Sequence, residues 1–251
     1  MFYTINISRP LFIFVFLLFH ANTIFSIDTS PLLPQIDVKS CLSQPFEKKK
    51  AKRGKSHIQP PLFIPHVLIL IDPGHGGRDT GTQSILKPRY QEKSLNLTTA
   101  RFAKQYLQEL GYQVCMTRET DRFVSLEKRA KVANTKKPIL FVSIHYNSAP
   151  SAKAQGIEVF FYESRENKDR TEQSKRLAQA VLKNVLAKTK AKSRGVKQGN
   201  YAVIRETQMP AVLIEGGFLT NEEELQKLKD PLYLKRLAWG IVCGIEEYLS
   251  R

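Results

Sequence analysis

The chain has 251 residues and a formal net charge of +16, from 39 lysine and arginine residues against 23 aspartate and glutamate residues. Such a surplus favours an anionic partner, with a merely solvated basic surface as the alternative. Three cysteines, Cys41, Cys115 and Cys243, exclude a disulfide-stapled scaffold. Cys115 and Cys243 lie in apolar patterns typical of a core, and we interpret Cys41 as a free thiol.

The first 65 residues are typical of an export signal and a tether. An apolar run at 11–19 follows the basic residue Arg9, so we interpret residues 1–26 as a signal peptide, with an uncleaved anchor as the alternative. Residues 27–65 are proline-rich with a basic run at 48–55, which predicts a disordered tether. We therefore expect an exported protein of the periplasm or cell wall. Export excludes nucleic acid as a partner and favours an anionic membrane or wall polymer bound by the tether.

Residues 66–251 have the length of one domain with a sizeable core. Short apolar runs predict buried strands, and apolar residues at helical spacing predict helices. The predicted strands are 67–71, 112–116, 139–144, 157–162, 201–204 and 211–214, and the predicted helices are 92–110, 125–134, 175–187, 222–228 and 232–249. This alternation predicts a single α/β domain with a mostly parallel, twisted sheet flanked by helices.

Residues able to bind or serve a metal follow three of the strands. His75 lies in a glycine-rich turn after the first strand, and His145 and Glu215 each follow an apolar run. Ligands of such sheets bind beyond the carboxyl ends of the strands, so these side chains are expected at one rim. Two histidines, a carboxylate and a spare carboxylate are the requirements of a catalytic zinc site. Glu92 could supply a carboxylate, although a glutamate is also favoured at a helix start by the helix dipole.

Together these segments resemble the zinc-dependent N-acetylmuramoyl-L-alanine amidases of the amidase_3 type, over most of the predicted domain. The matching segments are 71–77, 92–93, 96–97, 117–118, 121, 129, 133–134, 143–147, 156–158, 201–205 and 210–221. The resemblance implies one zinc ion held by His75, Glu92 and His145, with Glu215 as the catalytic carboxylate. It also implies hydrolysis of the amide between the lactyl group of N-acetylmuramic acid and L-alanine, in peptidoglycan or muropeptides.

Other residues of these segments receive lesser roles. Asn147 and Arg205 are candidates for substrate contacts, and Asn147 could also orient His145 if the chain stays extended. Arg118, Asp121 and Arg129 are expected to pair and to stabilise the fold.

Two departures from the family pattern carry expectations. Tyr146 stands where a small residue is usual, and we expect it to narrow the groove or to stack on a sugar. Regulated relatives carry a long helical insertion after the second histidine, whereas residues 167–199 here suffice for a helix and a basic loop. We therefore expect an open site that needs no activator.

Three alternatives stay open. Ser125 and Lys128 fit the Ser-x-x-Lys pattern of penicillin-binding proteins, which would give the protein an additional or different activity, that of a D,D-carboxypeptidase, although Ser125 is also a good helix cap. A zinc peptidase acting on stem peptides without the sugar is the second alternative. The third is a wall-binding module without catalysis, and the presence of all four site residues argues against it.

Overall fold

The computed structural model describes residues 67–85 and 87–250, so the signal, tether and Cys41 predictions lie outside the described residues. Twelve elements follow one another within these ranges: β1 (Leu68–Pro73), α1 (Glu92–Glu109), β2 (Gln113–Met116), α2 (Leu126–Lys136), β3 (Leu140–Asn147), β4 (Ile157–Phe161), α3 (Lys168–Thr189), β5 (Ser193–Gln198), α4 (Ala202–Arg205), β6 (Ala211–Phe218), α5 (Glu222–Leu228) and α6 (Pro231–Leu249). Side chains cap several helices at their starts, as Ser125 does by accepting the Lys128 backbone N–H at 3.3 Å.

The six strands form one sheet in the order β2-β1-β3-β6-β4-β5. The strands β2, β1, β3 and β6 are parallel to one another, which confirms the predicted α/β fold with a mostly parallel sheet. The pair β4 and β5 is parallel within itself, but β4 runs antiparallel to β6. The beginning of β4 therefore lies beside the end of β6, and Glu158 is the ladder partner of Glu215.

Helices cover both faces of the sheet. On one face α3 and α6 pack along each other, and α6 also packs against α1. On the other face α2 contacts α4, which contacts β3 and β6. This second face buries a cluster that includes Leu70, Phe141, Phe160 and Leu213. Because strand side chains alternate between faces, His145 and Glu215 belong to this same face.

Two element predictions were wrong. Residues 201–204 were expected as a strand, but Ala202–Arg205 is a short helix that begins after Tyr201. A four-residue apolar run has too few positions to distinguish the two periods. The expected basic loop after α3 contains an edge strand, Ser193–Gln198. Lysine and arginine are common on edge strands because their charge discourages pairing with another chain.

A third correction concerns the ends of two strands. His145 and Glu215 were expected just past strand ends, but both lie inside longer strands, Leu140–Asn147 and Ala211–Phe218. These strands continue because their residues pair with each other in the ladder up to Asn147 and Phe218.

Cys115 packs on the core while remaining partly exposed, and Cys243 is half-buried in α6, so the prediction that both are core residues is only partly confirmed.

Among residues 67–85 and 87–250, no helix combines the length and the apolar character that crossing a membrane requires.

Candidate metal centre and catalytic carboxylate

The turn after β1 presents His75 in an uncommon backbone conformation. His75 has φ = 57°, in the left-handed region that residues other than glycine rarely adopt. The Arg129 guanidinium holds this conformation by donating to the His75 carbonyl at 2.6 Å. Gly74 is required beside it, because a Cβ at that position would lie 2.1 Å from the ring of His145. The turn therefore brings the two histidine rings together, with centroids 5.0 Å apart.

Buried charge supports this turn from below. The Asp72 carboxylate accepts from Arg129 at 2.7 Å, from the Thr117 hydroxyl at 2.5 Å and from the Ser143 hydroxyl at 2.8 Å. Burial alone would raise the pKa of Asp72, but Arg129 and the hydrogen bonds outweigh it, and the pKa is lowered. Removing one partner of such a buried pair is costly.

Arg118 links the turn to the start of α1. Its guanidinium donates to the carbonyl of Gly74 at 2.7 Å and to that of Lys93 at 2.8 Å. The Asp121 carboxylate accepts from Gly77 N–H and from Lys93 Nζ. Arg118, Asp121 and Arg129 therefore contact the turn and its surroundings as structural residues would, but they pair with Lys93, Asp72 and backbone carbonyls instead of with one another.

Three donor side chains meet at the rim. Glu92 Oε2 lies 3.1 Å from His75 Nε2, and Glu92 Oε1 lies 2.8 Å from His145 Nδ1. Ligand atoms of all three residues lie within 4.8 Å of one another, so the group could hold a metal ion. Gly81 allows the approach, because a Cβ there would lie 2.4 Å from Glu92 Oε2 and its φ is +61°.

Surrounding groups orient the three donors. Asp79 Oδ2 lies 2.8 Å from His75 Nδ1, which leaves Nε2 to face Glu92. Asn96 donates to Glu92 Oε1 at 3.3 Å and to the Gly74 carbonyl at 3.1 Å. Sequence reasoning assigned no role to Asp79 or Asn96, although each lies four residues after a donor. Partners of this kind fix the tautomer and the direction of metal-binding side chains.

The charges of the cluster depend on one another. Burial would lower the pKa of His75, but hydrogen bonds and charge from Glu92 and Asp79 outweigh it, and the pKa is raised. Burial would raise the pKa of Glu92, but both histidines outweigh it and lower the pKa. Glu92 is therefore ionised at neutral pH, the form in which a carboxylate binds a metal.

Glu215 lies beside this cluster with an unusual environment. It is the ladder partner of His145 and is 9% exposed. Its Oε2 is buried and has no hydrogen-bond partner among the described residues. Burial, followed by the negative charges of Glu92 and Glu158, raises its pKa well above the ordinary value. An unpartnered buried carboxylate with a raised pKa is suited to accept a proton.

Neither candidate substrate contact, Asn147 or Arg205, forms a hydrogen bond with the three donor side chains; both have other partners. A register shift separates Asn147 from His145, and Asn147 donates to Glu158 Oε1 at 2.8 Å, so the expectation that it orients His145 was wrong. Arg205 lies on α4, where its guanidinium contacts Glu206 and the side chain of Asn200. The role of these two residues with substrate stays a prediction.

The expectation for Tyr146 was wrong. Its side chain is 1% exposed and its hydroxyl forms a 2.6 Å hydrogen bond with that of Thr99 on α1. The tyrosine faces away from the groove because alternate strand residues point to opposite faces, and His145 occupies the other face. It supports α1 instead of contacting a sugar.

The donor set fits zinc. Two imidazole nitrogens and one ionised carboxylate, drawn from three separate elements, are typical ligands of a catalytic zinc ion that keeps an open position. The unpartnered oxygen of Glu215 next to this set is where a base for water activation would be needed.

Comparisons with known proteins identify the family of this chain. The chain matches the Amidase_3 family, described as N-acetylmuramoyl-L-alanine amidase, over residues 69–247. It is 36% identical over 182 residues to the probable cell wall amidase LytH of Staphylococcus epidermidis, covering 72% of this chain and 58% of that protein. The chain thus spans under two thirds of LytH.

Two solved structures are also similar. An N-acetylmuramoyl-L-alanine amidase from Clostridium difficile 630 is 39% identical with a TM-score of 0.69, and the match covers 73% of this chain and 96% of that one. The catalytic domain of the amidase CwlV from Bacillus (Paenibacillus) polymyxa is 38% identical with a TM-score of 0.68, covering 74% and 99%. This chain therefore belongs to the Amidase_3 family of N-acetylmuramoyl-L-alanine amidases.

Proposed function

We propose that the protein is a zinc-dependent enzyme that hydrolyses the amide between the lactyl group of N-acetylmuramic acid and L-alanine of the peptidoglycan stem peptide. The observation that carries this proposal is the unpartnered, buried oxygen of Glu215 beside the donor group of His75, Glu92 and His145. Family membership supplies the choice of this amide among the bonds that such a site could hydrolyse.

The roles follow from where the residues lie. A zinc ion held by His75, Glu92 and His145 would supply positive charge to the scissile carbonyl oxygen and lower the pKa of a nearby water. Glu215 takes a proton from the attacking water, whose oxygen forms a bond to the lactyl carbonyl carbon. When the carbon–nitrogen bond breaks, Glu215 returns that proton to the departing nitrogen of L-alanine. The products are a free lactyl carboxylate and a stem peptide with a free amine.

The raised pKa of Glu215 suits both proton transfers, the uptake from water and the return to the departing nitrogen. Burial and neighbouring carboxylates disfavour its negative charge, so the ionised form is a stronger base than an exposed glutamate. A nearby cation would favour the ionised form and make it available at neutral pH. Asn147 and Arg205 are the proposed substrate contacts.

The setting of the reaction is proposed on sequence grounds. The signal pattern of residues 1–26 and the named cell wall relative favour an exported protein of the periplasm or cell wall that remodels the wall, splits septa or recycles fragments. The basic residues within 27–65 would attach it to an anionic membrane or wall polymer. We propose that the site works without an activator, and activity of the purified chain alone would support this.

Digestion of muropeptides by the zinc-loaded chain, followed by mass spectrometry, tests the proposal. We expect intact stem peptides with a free L-alanine amine from the wild type and none from Glu215→Gln. Loss of only the terminal D-alanine, with penicillin labelling that disappears in Ser125→Ala, would instead support the carboxypeptidase. Equal absence of product from wild type and Glu215→Gln would contradict any metal-dependent hydrolase.

A further inference from the structure

Two basic side chains of the edge strand β5 converge on one buried carboxylate. Glu158 Oε2 accepts from Arg194 Nε at 3.1 Å and from Lys197 Nζ, while Oε1 accepts from Asn147 at 2.8 Å. The Glu158 side chain is 4% exposed, whereas those of Arg194 and Lys197 are 35% and 41% exposed. One negative charge therefore faces two positive charges, which leaves a surplus of positive charge that reaches the surface.

This basic pair lies close to the proposed base. Glu158 and Glu215 are partners in an antiparallel ladder, so their side chains lie on the same face and close together. Arg194 and Lys197 are therefore separated from Glu215 by a single side chain. Aromatic rings also hold both cations: the Arg194 guanidinium lies 4.9 Å from the centre of the Phe218 ring, and Lys197 Nζ lies 6.0 Å from that of Phe160.

The sequence around the pair offers no competing carboxylate. No aspartate or glutamate occurs between Glu172 and Glu206, a stretch that includes all of β5. Glu158 reaches the pair because β4 lies next to β5, with Glu158 opposite Gly195 in the ladder. A second carboxylate, from a ligand, could therefore approach the same two cations from the exposed side.

We propose that Arg194 and Lys197 form a carboxylate-binding subsite that recognises the free α-carboxylate of the second residue of the stem peptide, on the peptide side of the scissile amide. The inference rests on the proposed function. In that substrate the lactyl carboxyl is consumed in the amide and the N-acetyl sugars are neutral, so the negative charge of a muropeptide resides on its stem. Arginine and lysine bind carboxylates through short charge-assisted hydrogen bonds. Glu158 is the positioning residue that holds both cations beside the site.

Two N-acetylmuramoyl tetrapeptides test the subsite if they differ only in the second residue, whose α-carboxyl is a free acid in one and a carboxamide in the other. With the zinc-loaded full chain we expect kcat/KM to be about tenfold higher for the acid, the effect of one charge-assisted hydrogen bond. Lys197→Gln and Arg194→Gln should each lower this acid-to-amide ratio towards one, and Lys197→Arg should restore it. Lys175→Gln, which removes an exposed charge from α3, is the matched control and should keep the ratio.

The acid-to-amide ratio of kcat/KM distinguishes carboxylate recognition by Arg194 and Lys197 from a purely structural role of these residues. If both variants lost activity on the two substrates equally, the cations would serve only to neutralise Glu158, and the inference would be wrong. Equal kcat/KM for the two substrates in the wild type would also overturn it while leaving the amidase proposal intact. Cleavage of neither substrate by the wild type would overturn both proposals together.

Discussion

The two parts of the sheet contribute different things to the site. The parallel part, β2, β1, β3 and β6, carries the turn with His75, the strand residue His145 and, at its last strand, Glu215. The reversed pair β4 and β5 contributes no member of the metal-binding group and instead brings three charged side chains beside Glu215: Glu158, Arg194 and Lys197. In the proposed mechanism, the residues that break the bond and the charged residues around them therefore come from strands of opposite direction, which meet where β6 pairs with β4.

The two parts also differ in how tightly their charges are held. Asp72 and Arg129 are buried beneath the His75 turn, where they form an ion pair. Arg194 and Lys197 are partly exposed. Substitutions at or beneath the His75 turn should therefore change zinc binding or stability, whereas substitutions in the reversed pair should change rate and selectivity with little effect on either.

The largest effect is expected at β6, where the two parts meet. Glu215→Gln keeps the shape of the side chain but removes the proton acceptor, so kcat should fall by about 10²–10⁴-fold. Zinc content, measured by atomic absorption, should stay at the wild-type value because Glu215 lies outside the donor group. Loss of zinc in this variant would show that Glu215 is a ligand instead of a base.

Beneath the His75 turn, Arg129→Ala should cost about 3–5 kcal/mol of unfolding free energy, because it leaves the Asp72 carboxylate buried without its charged partner. Urea unfolding at neutral pH measures this cost. The neighbouring exposed residue offers the control, since Lys128→Ala should change the free energy by less than about 0.5 kcal/mol.

The pH dependence of the same pair gives a second check on that prediction. The pKa of Asp72 is below its ordinary value of 3.8 in the folded state, so its stabilising contribution is present above that value and is lost as the pH falls through the folded pKa. The difference between the wild type and Arg129→Ala should therefore shrink at acid pH. A difference that stays constant would mean that Asp72 is not the group left unpaired.

A smaller effect is expected for Asp79, which forms a hydrogen bond with His75 of the metal-binding group. Asp79→Ala removes the partner of His75 Nδ1 and should lower zinc affinity about 10–100-fold while the fold is kept. Competition with a chromogenic chelator measures the affinity directly. Glu119→Ala, which removes an exposed carboxylate paired with Lys104, should leave it unchanged. Equal affinity in both variants would contradict an orienting role for Asp79.

Local sequence signals predicted most of the parallel part, except the ends of β3 and β6. The apolar run before the glycine turn predicted β1 and placed His75 at its end, and helical spacing predicted α1 from Glu92 onwards. Those signals work because burial on both faces produces wholly apolar strands, while one buried face produces a helical period. The spacing alone left Glu92 ambiguous, and the structure places it between the two histidines.

The reversed pair could not be predicted in the same way. The basic residues of β5 resembled a loop because an edge strand shows little apolar alternation. The direction of β4 depends on how the chain returns after β3, a long-range property that no local pattern encodes. The pairing of Glu158 with Glu215, and with it the position of Arg194 and Lys197, depends on that direction.

The smallest effect is expected for Glu158→Gln, an isosteric change on β4 that tests whether the reversed pair influences Glu215. The glutamine oxygen can still accept from Asn147, but the negative charge that helps to raise the pKa of Glu215 is removed. The pKa of Glu215 should fall, so activity should persist to lower pH and the acid limb of log(kcat/KM) should shift to lower pH. The control is Glu163→Gln, just beyond the other end of β4. An acid limb that does not move in Glu158→Gln, or that moves equally in Glu163→Gln, would show that the charge of Glu158 does not raise the pKa of Glu215.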